Sequence, residues 1–267
     1  MKKSNWDGVI LLMAKDYATI SKFELLTAEC WPAREEKTIK GWLLRAHDGV
    51  TARANAVYPY TNESNIELSA LIEEAIKFFE ERGHPPIFKM TDVCRPEGLD
   101  LKLTDLEFEV EMRTHLKIAP IDNLTSISPT IIVKIDETVP SDWFEAYAES
   151  SGYSDRAISA RRSIIEDIKL RKAFASVLID GKIAGLGLGV VNNGWLGLFS
   201  IVVYSQYRRK GIGTSINQAL GSWGKQLGAE NAFLQVEFDN HTSIAMYETM
   251  GFKTLYDYWY RVRRNLT

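Results

Sequence analysis

A basic turn with two closely spaced glycines is the stretch of this sequence best suited to chemistry. Its residues are, in order, Arg208, Arg209, Lys210, Gly211, Ile212 and Gly213. The apolar run 195–203 precedes the turn and an amphipathic segment, 214–227, follows it, which predicts strand, turn and helix. The first amides of a helix lack partners within it, and the helix dipole places about half a positive charge there. We therefore expect this turn to hold a phosphate-like anion against its backbone.

The two glycines and the basic residue before them match a known signature. The spacing Arg208-x-x-Gly211-x-Gly213 resembles the Gln/Arg-x-x-Gly-x-Gly/Ala motif of the GNAT acetyltransferases. A later block, from Asn240 through Tyr247 to Gly251-Phe252, resembles a second conserved block of the same family. The two blocks occur in family order on a strand–helix–strand–helix–strand pattern. The resemblance covers roughly residues 131–263 of the sequence.

The resemblance implies a binding site for acetyl-CoA, with the pyrophosphate on the backbone amides of the basic turn. The end of the preceding strand, 201–203, would pair with the pantetheine arm, and one of its amides would polarise the thioester carbonyl. The side chain of Asn240 would bind the same arm. The residues expected to contact the cofactor are Ile201, Val202, Val203, Arg208, Arg209, Lys210, Gly211, Ile212, Gly213, Thr214 and Asn240.

Acetyl transfer to an amine also needs an acid and a base. The resemblance makes Tyr247 the general acid that protonates the leaving CoA sulfur, although a core aromatic with a solvated hydroxyl would look the same in the sequence. Gln235, at a position where such enzymes often have a carboxylate, cannot take a proton. Glu237 shares its predicted strand face and is the candidate base, with a water chain or a merely solvated Glu237 as alternatives.

The predicted activity is therefore acetyl transfer from acetyl-CoA to a primary amine of a small molecule or peptide, by direct transfer in a ternary complex. No cysteine lies in the site blocks, so an acyl-cysteine intermediate has no support. The uncertain base keeps a second hypothesis open, a catalytically weak CoA-binding sensor or interaction module. The acceptor cannot be identified from the sequence.

The composition of the chain limits the classes of molecule that it is expected to bind. The chain has 267 residues, 45% of them hydrophobic, and a formal net charge of −3. This balance argues against nucleic acid and anionic membranes as partners. Cys30 and Cys94 have no metal-ligand spacing, the histidines form no metal motif, and the apolar run 9–13 is too short for a signal peptide. We expect a cytoplasmic protein without a metal, and a homodimer is possible.

The pattern of elements predicts an α/β protein (an α+β mixed sheet) with the acyl-CoA N-acyltransferase fold. Helical periodicity covers residues 16–31 and 66–83 in the first half, and a hairpin is expected at the turn 47–49. The polar segment 120–129 separates a domain at 1–125 from one at 126–267. Antiparallel strands followed by a strand–helix–strand crossover complete the second domain.

The two halves echo one another, which suggests a duplicated unit. Helix, strand, helix and strand follow in the same order in 66–118 and 213–263. The first copy has no Gly-x-Gly turn, carries Glu63 there, and has Leu103 where the second copy has Tyr247. We therefore expect a degenerate first domain, acting as a lid, dimer surface or substrate wall, and a catalytic second domain. Gly185, Gly187 and Gly189 leave one strand face bare, for a helix or a substrate to cover.

Overall fold

The structure is a computed structural model and describes residues 16–60 and 67–264. The chain forms two compact units. The first comprises the residues up to His115 together with those from Leu255 onward, and the second runs from Leu116 to Thr254. The expected boundary at residue 125 thus lies within the second unit of this division, at the end of a short helix, Asp122–Thr125.

The elements alternate between helices and strands along the whole described chain. They are, in order, α1 (Tyr17–Glu29), β1 (Glu35–Ile39), β2 (Trp42–Ala46), β3 (Val57–Tyr58), α2 (Leu68–Glu80), β4 (Ile87–Met90), α3 (Leu99–Asp105), β5 (Glu109–Pro120), α4 (Asp122–Thr125), β6 (Lys134–Asp136), α5 (Ser141–Ser151), α6 (Asp155–Asp167), β7 (Arg171–Ile179), β8 (Lys182–Asn192), β9 (Trp195–Val203), α7 (Ile212–Gln226), β10 (Asn231–Glu237), α8 (His241–Thr249) and β11 (Lys253–Val262).

In the first unit the strands lie in the order β1-β2-β3-β4-β11. Neighbouring strands are antiparallel except β3 and β4, which are parallel and joined through α2. Helix α2 has the predicted amphipathic face, and the side chains of Leu71, Ile72, Ala75 and Phe79 are buried in the core. The strand that completes this sheet, β11, comes from the far end of the chain, after the whole second unit.

The predicted hairpin at residues 47–49 is wrong. The tight turn of this region lies earlier, at Lys40 and Gly41, which have φ of 47° and 81° and join β1 to β2. The longer loop 47–56 connects β2 to β3, and the side chain of Asn55 holds it. Asn55 accepts from the amides of His47 and Gly49 at 2.6 and 3.0 Å, so these backbone groups bond a side chain instead of a strand. Glu63 lies outside the described residues.

In the second unit the strand order is β10-β9-β8-β7-β6, with β5 beside β10. The strands from β6 to β9 are antiparallel, and β9 and β10 are parallel, joined through α7. This is the predicted mixed sheet, and the turns before β8 and β9 contain Asp180-Gly181 and Asn193-Gly194, all four with left-handed φ values. None of the helices in the described ranges combines the length and the apolar content needed to cross a membrane.

Helix α7 covers the bare strip of glycines on β8. A Cβ atom built on Gly185 would come within 2.6 Å of Ile212, and one on Gly187 within 2.8 Å of Ile216. The same position on Gly189 would meet Leu220 at 3.1 Å. Of the two occupants expected for this strip, the helix is the one found. The glycines therefore let α7 pack closely on β8.

Candidate functional site

Strands β9 and β10 separate where the site is expected. In the part of the chain that the structure describes, the two strands are paired from Trp195 opposite Asn231 to Leu198 opposite Leu234. Both strands continue beyond this point, β9 to Val203 and β10 to Glu237. A gap therefore opens between two parallel strands, and one edge of β9 lines it. Ile201, Val202 and Val203 form this edge and are half-buried.

A β-bulge lies in β9 where the gap opens. The register between β8 and β9 shifts between Leu186 and Leu188, so that β9 has one residue more than β8 over this interval. Ser200 takes a left-handed φ of 50° in the bulge. A bulge disrupts the ladder locally and turns the strand, which re-aims the groups that follow it.

The backbone of Val203 faces the gap. The next amide, that of Tyr204, donates to the carbonyl of Ala184 on β8 at 3.1 Å. Because the amides of a strand alternate between its two edges, the amide of Val203 points away from β8. The carbonyl of Val203 does too, since it accepts from Nε of Arg208 at 3.2 Å. An amide donor is thus presented to any group that enters between β9 and β10.

The basic turn follows this edge without interruption. A single 3₁₀ turn, Ser205–Tyr207, leads into it, and Arg209 and Gly211 take left-handed φ values of 59° and 79°. Helix α7 then begins at Ile212, and no side chain caps its first amides. The side chains of Arg208, Arg209 and Lys210 are exposed, whereas Ile212 and Gly213 are buried and Thr214 is half-buried. Uncapped amides and exposed positive charge together favour the binding of an anion.

Gly213 allows the first turn of α7 to pack closely against α8. A Cβ atom there would lie 3.0 Å from Sδ of Met246 and 3.6 Å from the side chain of Val203. The glycine therefore brings together the basic turn, the edge of β9 and the helix that carries Tyr247. Gly211 has a different role, because a Cβ atom there would have only Thr130 nearby, at 3.9 Å, and its positive φ is what the turn requires.

Tyr247 is buried on α8, with 6% of its surface exposed. Its ring packs edge-on against Phe252, with the ring centroids 5.5 Å apart. Burial raises the pKa of the phenol well above its ordinary value. The hydroxyl therefore stays protonated at any physiological pH.

The other two predicted side chains lie at the end of β10. Glu237 is the last residue of the strand and is exposed to solvent. Asn240 is also exposed and caps α8, because its Oδ1 accepts from the amide of Ser243 at 3.2 Å. This capping is a structural use of Asn240 that stands beside the cofactor contact expected of it.

The sequence pattern does not reveal Asn217 or the bulge at Ser200. Asn217 lies at a buried position of α7, where its type is the only signal, and polar residues on amphipathic helices usually face solvent. Within residues 16–60 and 67–264, no group of three or more His, Cys, Asp or Glu side chains is placed to hold a metal ion.

Comparison with known proteins finds relatives along almost the whole chain. Residues 17–261 match the family model described as "Probable histone acetyltransferase Rv0428c C-terminal". The chain is 32% identical over 250 residues to an uncharacterized N-acetyltransferase, YobR, of Bacillus subtilis, covering 92% of this chain and 99% of that protein. Over 253 residues it is 25% identical to a probable histone acetyltransferase, Rv0428c, of Mycobacterium tuberculosis, covering 88% and 71%.

Solved structures give the same fold. A GCN5-related N-acetyltransferase from Kribbella flavida superposes with a TM-score of 0.70 at 13% identity, covering 92% of this chain and 95% of that one. This similarity extends over both units of the chain.

Proposed function

Since the chain belongs to the Rv0428c C-terminal family of GNAT N-acetyltransferases, we propose that it transfers the acetyl group of acetyl-CoA to a primary amine by direct attack in a ternary complex. One observation carries the proposal. The free edge of β9 leads directly into an uncapped helix N-terminus with exposed basic side chains. An extended arm with a pyrophosphate at one end fits that succession of an open strand edge and an anion site.

Each residue of the site would have a distinct role in the proposed reaction. The amides at the start of α7 and the side chains of Arg209 and Lys210 would hold the pyrophosphate. The amide of Val203 would donate to the thioester carbonyl and stabilise the negative charge that develops on its oxygen when the amine attacks. As the carbon–sulfur bond breaks, Tyr247 would donate its proton to the departing thiolate.

The anion site is tested by a carboxylate placed in it. We expect Gly211→Glu to weaken acetyl-CoA binding by about 100-fold, because the new charge would repel the pyrophosphate at close range. Gly181→Glu is the matched control. Gly181 also has a left-handed φ, 75°, and open space around it, but it lies in the turn between β7 and β8. Both variants carry the same backbone strain, so calorimetry with acetyl-CoA isolates the anion site.

The outcomes separate the two hypotheses for this protein. Equal affinities in the two variants, or no binding by the wild type, would contradict the cofactor site. Tight wild-type binding without turnover of any amine, tested with amino acids, polyamines and peptides, would favour the CoA-binding sensor.

Glu237 remains our proposed base, acting on the amine through water. An amine with a pKa of about 10.4 costs roughly 4.6 kcal/mol to neutralise at pH 7. We expect Glu237→Gln to lower kcat/KM about tenfold at pH 7. The deficit should shrink as the pH approaches the pKa of the amine, because the substrate is then already neutral. The control is Asp239→Asn, because Asp239 is another exposed carboxylate, two residues after the end of β10. A deficit that is the same at every pH would remove Glu237 from this role.

We infer that the first unit is a degenerate copy of the second. The order β1-β2-β3-α2-β4 repeats β7-β8-β9-α7-β10, with two antiparallel pairs followed by one parallel pair across a helix. Leu103, at the position that corresponds to Tyr247, is fully buried. We also propose a cytoplasmic location, because Cys30 and Cys94 form no disulfide with one another.

A further inference from the structure

The first unit contains a cavity that the proposed reaction does not use. Its volume is about 530 Å³, which is within the range of sites for small molecules. It is lined by residues of α2, of α3 and its C-terminal end, and of the segment after β11, among them Glu73, Ile76, Glu80, Lys102, Leu106 and Arg263. All of these residues belong to the first unit, whereas the basic turn and Tyr247 belong to the second.

The cavity combines charged walls with an apolar surface. Glu73, Ile76 and Glu80 are spaced three and four residues apart on α2, so they share one face of that helix. The two glutamates are exposed and Ile76 is buried, which places the carboxylates toward solvent and the apolar side chain below them. Lys102 and Leu106 repeat this combination on α3, at a spacing of four residues, and both are half-buried.

The charges around the cavity are not neutralised by one another. Among the residues that the structure describes, neither Glu73 nor Lys102 has an ion-pair partner within 4.0 Å. Nη2 of Arg263 lies 3.9 Å from Oε1 of Glu80, which is beyond hydrogen-bond distance, and its Nε is buried without a hydrogen-bond partner in the same described ranges. Arginine usually satisfies its planar group of donors with a carboxylate or phosphate. The cavity therefore leaves a carboxylate and two cations available to a ligand.

A phosphate is excluded as that ligand by the start of α2. Oε1 of Glu67 accepts from the amide of Ser69 at 3.1 Å, and Oε2 accepts from the amide of Ala70 at 2.5 Å. The bond from Ala70 lowers the pKa of Glu67, so the carboxylate is ionised where it caps the helix. In α7 the corresponding amides have no side-chain cap. A negative charge already occupies this helix end, and a second CoA molecule would be repelled from it.

We propose that this cavity binds a free apolar amino acid. Its ammonium group would contact the carboxylate of Glu73, its carboxylate would accept from Lys102 and Arg263, and its side chain would cover Ile76 and Leu106. A zwitterion with one apolar arm satisfies both kinds of charge and the apolar surface together, whereas a simple amine or a fatty acid leaves one kind of charge without a partner. The inference goes beyond the proposed acetyl transfer and does not depend on it.

The test is an NMR titration of the full chain with L-leucine. We expect a Kd of about 1 mM, ordinary for a ligand of this size in an open site, and changes in the amide signals of α2 and α3. L-leucinamide lacks the carboxylate and N-acetyl-L-leucine lacks the ammonium group. Each should bind about tenfold more weakly than L-leucine, because each leaves one kind of charge in the cavity unpaired.

Two variants assign the contacts. Glu73→Gln should weaken L-leucine and L-leucinamide about tenfold and leave N-acetyl-L-leucine unchanged, because only the first two compounds carry the ammonium group. Lys102→Met should weaken L-leucine and N-acetyl-L-leucine and leave L-leucinamide unchanged. The controls are Glu74→Gln and Lys77→Met, exposed residues of α2 that lie 3.5 Å from Lys37 and 3.9 Å from Glu81. They should leave all three affinities unchanged.

The inference is overturned if about 10 mM L-leucine, tenfold above the expected Kd, leaves the amide signals of α2 and α3 unchanged. It is also overturned if Glu73→Gln weakens all three compounds equally, since that result would show a general disturbance of the cavity. Calorimetry of the same variants should find acetyl-CoA binding as in the wild type. Failure of acetyl transfer and failure of the amino-acid site are therefore separate results in one set of proteins.

Discussion

Replacing Tyr247 by phenylalanine is expected to lower kcat by about 10²- to 10³-fold, the usual contribution of a positioned proton donor. The ring would remain in its edge-on contact with Phe252, so the substitution removes a hydroxyl and little packing. Binding of acetyl-CoA should change by less than about twofold, because the proposed contact forms only as the thiolate leaves. Steady-state kinetics of CoA release, with calorimetry on the same protein, measure both quantities.

Tyr147→Phe is the matched control for this variant. Tyr147 lies in the same unit and is equally buried, at 6% exposure, but it packs on α5 against Trp143. Its loss of a hydroxyl should leave kcat within about twofold of the wild type, because no proton is donated there. Equal kcat values for Tyr247→Phe and wild type would remove Tyr247 from the reaction, and the leaving thiolate would then take its proton from water.

The second large effect is expected in the first unit, where an ion pair lies completely inside the protein. Nζ of Lys89 is 2.6 Å from Oε2 of Glu24, and neither side chain is exposed. The hydroxyl of Tyr256 donates to Oε1 of Glu24 at 2.6 Å, and the ring centroid of Tyr258 lies 4.0 Å from Nζ. Burial by itself would lower the pKa of Lys89, but the charge of Glu24 raises it above its ordinary value.

We expect Lys89→Met to lower the free energy of unfolding by about 3–5 kcal/mol, because it leaves the carboxylate of Glu24 buried without its partner. Adding Glu24→Gln should recover at least half of that loss, since the charge is removed and the acceptor for Tyr256 is kept. Lys37→Met breaks a 3.5 Å pair with Glu74 that is half exposed, and it should cost less than about 1 kcal/mol. Urea denaturation measures all three.

The sign of the pH dependence follows from the same pair. Because the pKa of Lys89 is higher in the folded protein than in the unfolded chain, protonation of Lys89 contributes its full stabilisation below about pH 10.4. That contribution is lost only as the pH rises through the folded value. A Lys89→Met variant as stable as the wild type at pH 7 would show that the pair contributes nothing.

The basic turn could be located from the sequence because the motif that identifies it consists of particular residue types at fixed spacing. Gly211 is needed for its left-handed φ and Gly213 for the contact with Met246, and both requirements appear in the sequence as glycines. The turns before β8 and β9 are equally local. A hydrophobic period with a turn signal at each end defines such elements without reference to the rest of the chain.

Long-range choices are not visible in the same way. Asp48 and Gly49 do adopt left-handed turn conformations, with φ of 50° and 68°, yet no hairpin forms there. The side chain of Asn55 captures the backbone groups that a hairpin would have paired. The bulge at Ser200 depends on the register between β8 and β9, and the burial of Asn217 depends on which elements pack against α7. Neither follows from local propensity.

The return of β11 to the first unit has a consequence for how this protein is made. Strand β4 finds its antiparallel neighbour in Trp259–Val262, after the whole second unit has been synthesised. When only β1 to β4 of the first unit have left the ribosome, β4 still lacks its neighbour β11. Its unpaired edge can then associate with other chains. The contiguous second unit can fold as it is synthesised, but the sheet of the first unit is complete only after β11 has been added.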